Sequence, residues 1–81
     1  MKTDTPAPSL ATLARRIRAD WRNVNFAARP YLEAMSCLNS VSDSVGFDSG
    51  RSIVLYFLGN ASAWRGPVAK EIKSTLKALI K

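Results

Sequence analysis

Ile53-Val54-Leu55-Tyr56-Phe57-Leu58 is the longest uninterrupted apolar run in the chain, and the fold turns on how it is read. Val, Ile, Tyr and Phe suit a strand. A strand needs a partner for its backbone groups, however, and no second β-like run occurs among the 81 residues. A central helix that is apolar almost all round satisfies its backbone internally, so a helix is expected here. Asp48 or Ser49 can cap its start. Gly59-Asn60 is a suitable stop, with an extension toward Trp64 as the alternative.

Working outward, three further helices are expected. Leu10, Leu13, Ala14, Ile17, Trp21 and Val24 recur at i, i+3, i+4 and i+7 spacing, the mark of one buried stripe. Ser9 is placed to cap that helix, which should end between Arg22 and Ala28. Pro30 fits the first turn of a second helix, whose inward face is Tyr31, Leu32, Ala34, Met35 and Leu38. Asn39 to Gly46 is rich in Ser, Asp and Asn and reads as a loop. Gly66-Pro67 opens the last helix, where Val68, Ile72, Leu76, Leu79 and Ile80 share one arc and Lys70, Lys73, Lys77 and Lys81 the opposite one. The expected fold is all-α: a small bundle of about four helices over residues 9–81, preceded by a flexible tail at 1–8 that holds two prolines and no periodicity.

Apolar residues make up 47% of the chain and charged residues 22%. That is ordinary usage for a globular domain. No apolar stretch reaches the roughly 18 residues of a membrane span, and Lys2 is followed by no hydrophobic segment of the secretory kind. Cys37 is the sole cysteine. A lone thiol fits a reducing compartment, so a cytoplasmic location is expected. Its place between Met35 and Leu38 suggests a small buried hydrophobe. Asn60-Ala61-Ser62 matches a glycosylation acceptor, read here as coincidence.

Chemistry is sparsely supplied. With no histidine and one cysteine, the chain lacks the usual four ligands of zinc. No imidazole stands behind Cys37 or any serine, and no carboxylate pair suggests itself. No cofactor and no enzymatic activity are expected. Gly46-Phe47-Asp48-Ser49-Gly50-Arg51-Ser52 is one residue short of a phosphate-binding loop, has Arg for Lys, and reads as a loop before a helix cap. Asp43 and Asp48 lack the alternating ligands of a calcium loop. A helix-turn-helix centred on Gly59 would put Leu55 where a small residue belongs and Asn60 where an apolar one belongs, and the other glycines serve no better. The last helix is basic and amphipathic, but its apolar arc has no Trp or Phe for a membrane surface and is needed by the core.

Charge is the informative feature. The chain carries +6, distributed as +4 over residues 1–29, −3 over 30–50 and +5 over 51–81. Arg15, Arg18 and Arg22 form a row on one flank of the first helix, and Lys70, Lys73 and Lys77 form another on the last. If the two helices are neighbours, the rows join into one basic face. Such rows are also how any solvated helix face looks. Arginine forks suit phosphate and carboxylate alike.

Of the aromatics, Trp21 and Phe57 are expected in the core. Trp64, beside Arg65 at a helix junction, either seals the core or anchors an interface. The function expected is therefore a protein-binding adaptor, regulator or inhibitor of an acidic partner, using Arg15, Arg18, Arg22, Trp64, Arg65, Lys70, Lys73 and Lys77. The alternative is a nucleic-acid-associated protein that holds phosphates with the same basic rows. A homo-oligomer is compatible with either.

Overall fold

Ser9, in an extended conformation, accepts a hydrogen bond from the Thr12 amide at 3.0 Å and starts helix α1, Leu10–Asp20. The computed structural model describes residues 9–81, and the tail expected over 1–8 lies outside the described residues. Two further amides of the first turn reach across the molecule. Leu10 N–H donates to the Asn39 carbonyl at 3.1 Å and Ala11 N–H to that of Leu38 at 2.9 Å. Donors that a helix start always leaves over are thus satisfied by tertiary contact.

Helix α1 stops earlier than its apolar spacing suggests. Trp21 leaves the helical conformation, with φ −96° and ψ 87°, and its ring enters the core. Val24 lies beyond the helix in a linker folded by Asn25. The Asn25 side chain accepts from the Ala27 amide at 3.2 Å and donates to the Asn60 carbonyl at 3.3 Å. Burial of the tryptophan and these Asn contacts outweigh the one further turn that the periodicity implies.

Helix α2, Arg29–Met35, has Pro30 in its first turn. The missing N–H costs nothing there. The chain then tightens through bonds from Cys37 N–H to the Ala34 carbonyl and from Leu38 N–H to that of Met35, both 3.1 Å. This turn carries Leu38 inward and leaves Cys37 exposed, which corrects the expectation of a buried thiol.

The loop expected at 39–46 is more ordered than its composition implies. The Asp43 carboxylate accepts from the amides of Asn39 and Ser40, each at 3.1 Å. A two-residue strand β1, Ser44–Val45, then pairs antiparallel with β2, Asp48–Ser49. Gly46 at φ 61° is the first residue of the intervening two-residue turn, and Phe47 has negative φ. This is the arrangement of a type II′ hairpin.

Ser49 ends β2 and caps α3, Gly50–Gly59, by accepting from the Ser52 amide at 3.2 Å. The apolar hexad is thus helical and stops at Gly59-Asn60. Ile53, Val54 and Phe57 are buried, while Leu55 and Tyr56 turn outward at 53% and 50% exposure. Helix α4, Pro67–Leu79, begins after Gly66 at φ 113°. L side chains rarely adopt that backbone state.

The molecule is predominantly helical, with four helices and one very short hairpin among the described residues. Helix α1 packs against both α2 and α4, and α2 packs against α3. One core gathers Leu10, Leu13 and Ile17 from α1, Met35 from α2, Val54 and Phe57 from α3, and Ile72 and Leu76 from α4. Among the described residues no polar or charged side chain is buried, and no helix is long and apolar enough to cross a membrane.

Candidate functional site

The two basic rows are not what meets along the seam of α1 and α4. Helices α1 and α4 are neighbours, but the residues that meet between them are not the expected ones. Arg16 Nη2 lies 3.5 Å from Glu71 Oε1, and Arg16, Ala19 and Asp20 border one groove with Val68. At about 100° per residue, Arg18 lies about 160° around α1 from Arg16, on the flank toward α2. Arg22 follows the helix end, in the bend after Trp21, and lines the same cleft. The lysine row likewise lies on the flank of α4 away from Glu71, where Lys73 reaches the turn at 61–64. The Arg16–Glu71 pair marks the seam between α1 and α4, with the arginine patch on α1 and its continuation and a second, lysine patch on α4.

Lys73 is not a free cation of that second patch. Its Nζ donates to the carbonyls of Ala61 at 2.8 Å and Trp64 at 2.7 Å, and lies 5.8 Å from the centre of the Trp64 ring. Partial burial, then the charges of Lys77 and Arg65, hold its pKa below the usual 10.5. Each of these disfavours the charged form. Lys73 ties α4 to the 61–64 turn, while Arg65, Lys70 and Lys77 remain exposed around it.

Trp64, considered as an interface anchor, is 2% exposed and belongs to the core. Its ring stacks on Trp21 with centroids 5.9 Å apart and planes 7° from parallel, and both rings meet Phe57 edge-on. Its indole N–H donates to Asp20 Oδ2 at 2.8 Å. The polar edge of a buried tryptophan is thereby satisfied at the surface end of α1.

What the structure does assemble is a cleft of about 330 Å³ between α1 and α2, lined by Arg18, Trp21, Arg22, Val24, Arg29, Leu32 and Glu33. Trp21 and Leu32 are buried and form its back wall, and the three arginines are exposed. Arg29 Nε donates to the Val24 carbonyl at 3.3 Å. That bond holds the guanidinium against the linker and leaves its terminal nitrogens without a partner among the described residues. Among the described residues, Arg18 and Arg22 make no ion pair and no side-chain hydrogen bond, and Glu33 pairs with none of the three. Arg18 also stands in the last turn of α1. A cation there complements the helix dipole. Arg15 belongs to the same row but does not line the cleft.

Arg29 is not among the residues expected to act. It opens α2, seven positions beyond Arg22, which itself follows the end of α1, so helical spacing cannot connect them; the turn made by Asn25 brings them to one cleft. Among the described residues no group of three or more His, Cys, Asp or Glu side chains is placed to hold a metal ion. Phe26, 83% exposed, sits on the α1–α2 linker that also carries Arg22 and Val24, and Phe47 is fully exposed at the hairpin tip. Comparison of the chain with models of known families, with curated proteins and with solved structures finds no match.

Proposed function

We propose that the protein is a small binding module, without catalytic chemistry of its own, that docks an acidic segment of a partner protein in the cleft between α1 and α2. The observation that carries this reading is the convergence of Arg18, Arg22 and Arg29 on one cleft with an apolar back wall. Guanidinium forks bind carboxylates and phosphates bidentately. A cleft backed by Trp21 and Leu32 shields such bonds from water better than an open helix face does. Phe26 is exposed on the adjoining linker. It offers an aromatic contact of the sort that dominates protein interfaces.

Binding along a nucleic-acid backbone draws on many phosphate contacts at once. The Arg16–Glu71 pair at the α1–α4 seam and the use of Lys73 in holding the fold support it less well. The test is fluorescence anisotropy with a glutamate-rich labelled peptide and a labelled DNA duplex at about 0.15 M salt, where charges are screened beyond roughly 8 Å. Peptide binding is expected to weaken at least about tenfold in R18Q/R22Q/R29Q, a loss of about 1.4 kcal/mol, and to survive in K70Q/K77Q. Binding that follows the lysines, or duplex binding that exceeds peptide binding, overturns the reading.

A further inference from the structure

We infer that the anion this cleft takes is a dianionic phosphomonoester, the phosphorylated side chain of a partner protein, in preference to a carboxylate; this rests on the reading of the cleft as a docking site. The first argument is charge. Arg18, Arg22 and Arg29 against Glu33 leave the lining with a formal surplus of two positive charges. A carboxylate neutralises one of them. A phosphomonoester carries about −1.5 to −2 near neutral pH and matches the surplus.

Hydrogen-bonding capacity points the same way. Each guanidinium has five N–H donors. Only the Nε of Arg29 is engaged, on the Val24 carbonyl. The two oxygens of a carboxylate cannot use three forks, whereas three phosphoryl oxygens present one edge to each. The Glu33 carboxylate lines the same cleft without pairing to an arginine. It repels any anionic guest, a dianion more than a monoanion, and the contacts to three arginines must outweigh that repulsion.

Size is compatible as well. The cleft holds about 330 Å³. Ligand pockets run from roughly 300 to 1,000 Å³, so this is a site for a small group such as a phosphoryl and the side-chain carbons that bear it. Trp21, Val24 and Leu32 give the cleft an apolar lining against which those carbons can rest. Arg29, braced on the linker carbonyl, is partly ordered before the guest arrives. Such bracing reduces the entropy lost on binding.

The experiment compares four labelled peptides of one neutral sequence that carry phosphoserine, serine, glutamate or two adjacent glutamates at the centre, titrated with the full chain. The phosphoserine peptide is expected to bind at least about tenfold more tightly than either glutamate peptide. R22Q and R29Q are expected to bring it to the level of the serine peptide. R29K keeps the charge but loses the fork, and is expected to weaken binding as well. Far-ultraviolet circular dichroism of each variant checks that these exposed substitutions leave the helices intact.

Equal binding of the double-glutamate and phosphoserine peptides overturns this inference and leaves the acidic-partner reading standing. No binding of any acidic peptide overturns both. Phosphopeptide binding that ignores the arginine substitutions overturns the assignment to this cleft. Inorganic phosphate that binds as tightly as the phosphopeptide marks a site for small phosphates and overturns the assignment to a protein partner.

Discussion

Replacing Gly50 by alanine sets helix propensity against packing, and the structure says which wins. Gly50 is the first residue of α3 and has an ordinary negative φ. By propensity alone, alanine would therefore add up to about 1 kcal/mol. A Cβ at this position, however, would lie 2.8 Å from the Ser40 carbonyl oxygen, 2.8 Å from Val41 Cα and 3.0 Å from the Val41 oxygen. Comfortable carbon–carbon contact begins at about 3.5 Å. The obstructing atoms are backbone, and that backbone cannot yield freely. Gly50 N–H is bonded to the Asp43 carbonyl at 2.7 Å, Arg51 N–H to that of Val41 at 3.1 Å, and Ser40 N–H to the Asp43 carboxylate at 3.1 Å.

Forcing a methyl against backbone this close sits at the upper end of the overpacking range, about 2–3 kcal/mol, so after the propensity gain the net expectation for G50A is a loss of about 1–2 kcal/mol. With an m-value of about 1 kcal/mol/M for a chain this short, the urea midpoint should fall by about 1–2 M. The fluorescence of Trp21 and Trp64, both buried, reports the transition. Gly59→Ala is the matched control. It ends the same helix, has no positive φ, and its Cβ would meet nothing within 4 Å. It should gain about 0.4–1 kcal/mol through the unfolded state. A G50A protein as stable as the native one would refute the close approach of α3 to the 40–41 backbone.

Cys37, exposed in the turn after α2, should react with a thiol reagent in native buffer at a rate close to that in denaturant; a protected thiol would contradict the turn geometry. Lys73 gives a pH signature. Its folded pKa lies below 10.5. Between that lowered value and the unfolded one, the unfolded chain binds more protons and stability rises with pH. The stability of the native protein minus that of K73M, followed from about pH 8 to about 10.5, should therefore increase, and a flat difference would show Lys73 to be solvated. Asp20→Ala removes the acceptor of the Trp64 indole N–H. The cost should be about 1 kcal/mol. A matching change in the near-ultraviolet dichroism of the Trp21–Trp64 stack is expected, and an unaltered spectrum would mean that the stack does not depend on that bond.

Helix starts are legible because they are local chemistry. Ser9 and Ser49 cap with their own hydroxyls, Pro30 presets the first turn of α2, and Gly66-Pro67 combines a positive φ with a fixed one. The end of α1 is not legible. The stripe from Leu10 to Val24 continues in the sequence, yet Trp21 gains more by stacking on a residue 43 positions away than by another helical turn. The hairpin at 44–49 leaves no pattern to read. Two-residue strands are too short to show alternation. Cys37 departs from expectation for a related reason: in the tight turn after Met35 it is Leu38, one residue further, that returns to the core.

The candidate site divides in the same way. That Arg15 and Arg18 share a flank of α1 follows from spacing alone, since the helical repeat fixes which residues are neighbours on one helix; Arg22 lies past the end of that helix and joins Arg18 only through the tertiary fold. Whether that flank meets the lysines of α4 depends on how α1 rolls between its two neighbours, and periodicity within one helix carries no information about roll. The Arg16–Glu71 contact and the Trp64–Asp20 bond turn the other flank toward α4, which leaves the arginines to face α2 and Arg29. Composition, caps and periodicity thus determined that the chain is helical, where its helices begin and which faces are apolar, because those are properties of neighbours in sequence. The tertiary structure alone decided that Trp64 and Lys73 are spent on holding the fold and that three arginines close on one cleft, because those contacts join segments whose spacing along the chain has no period to read.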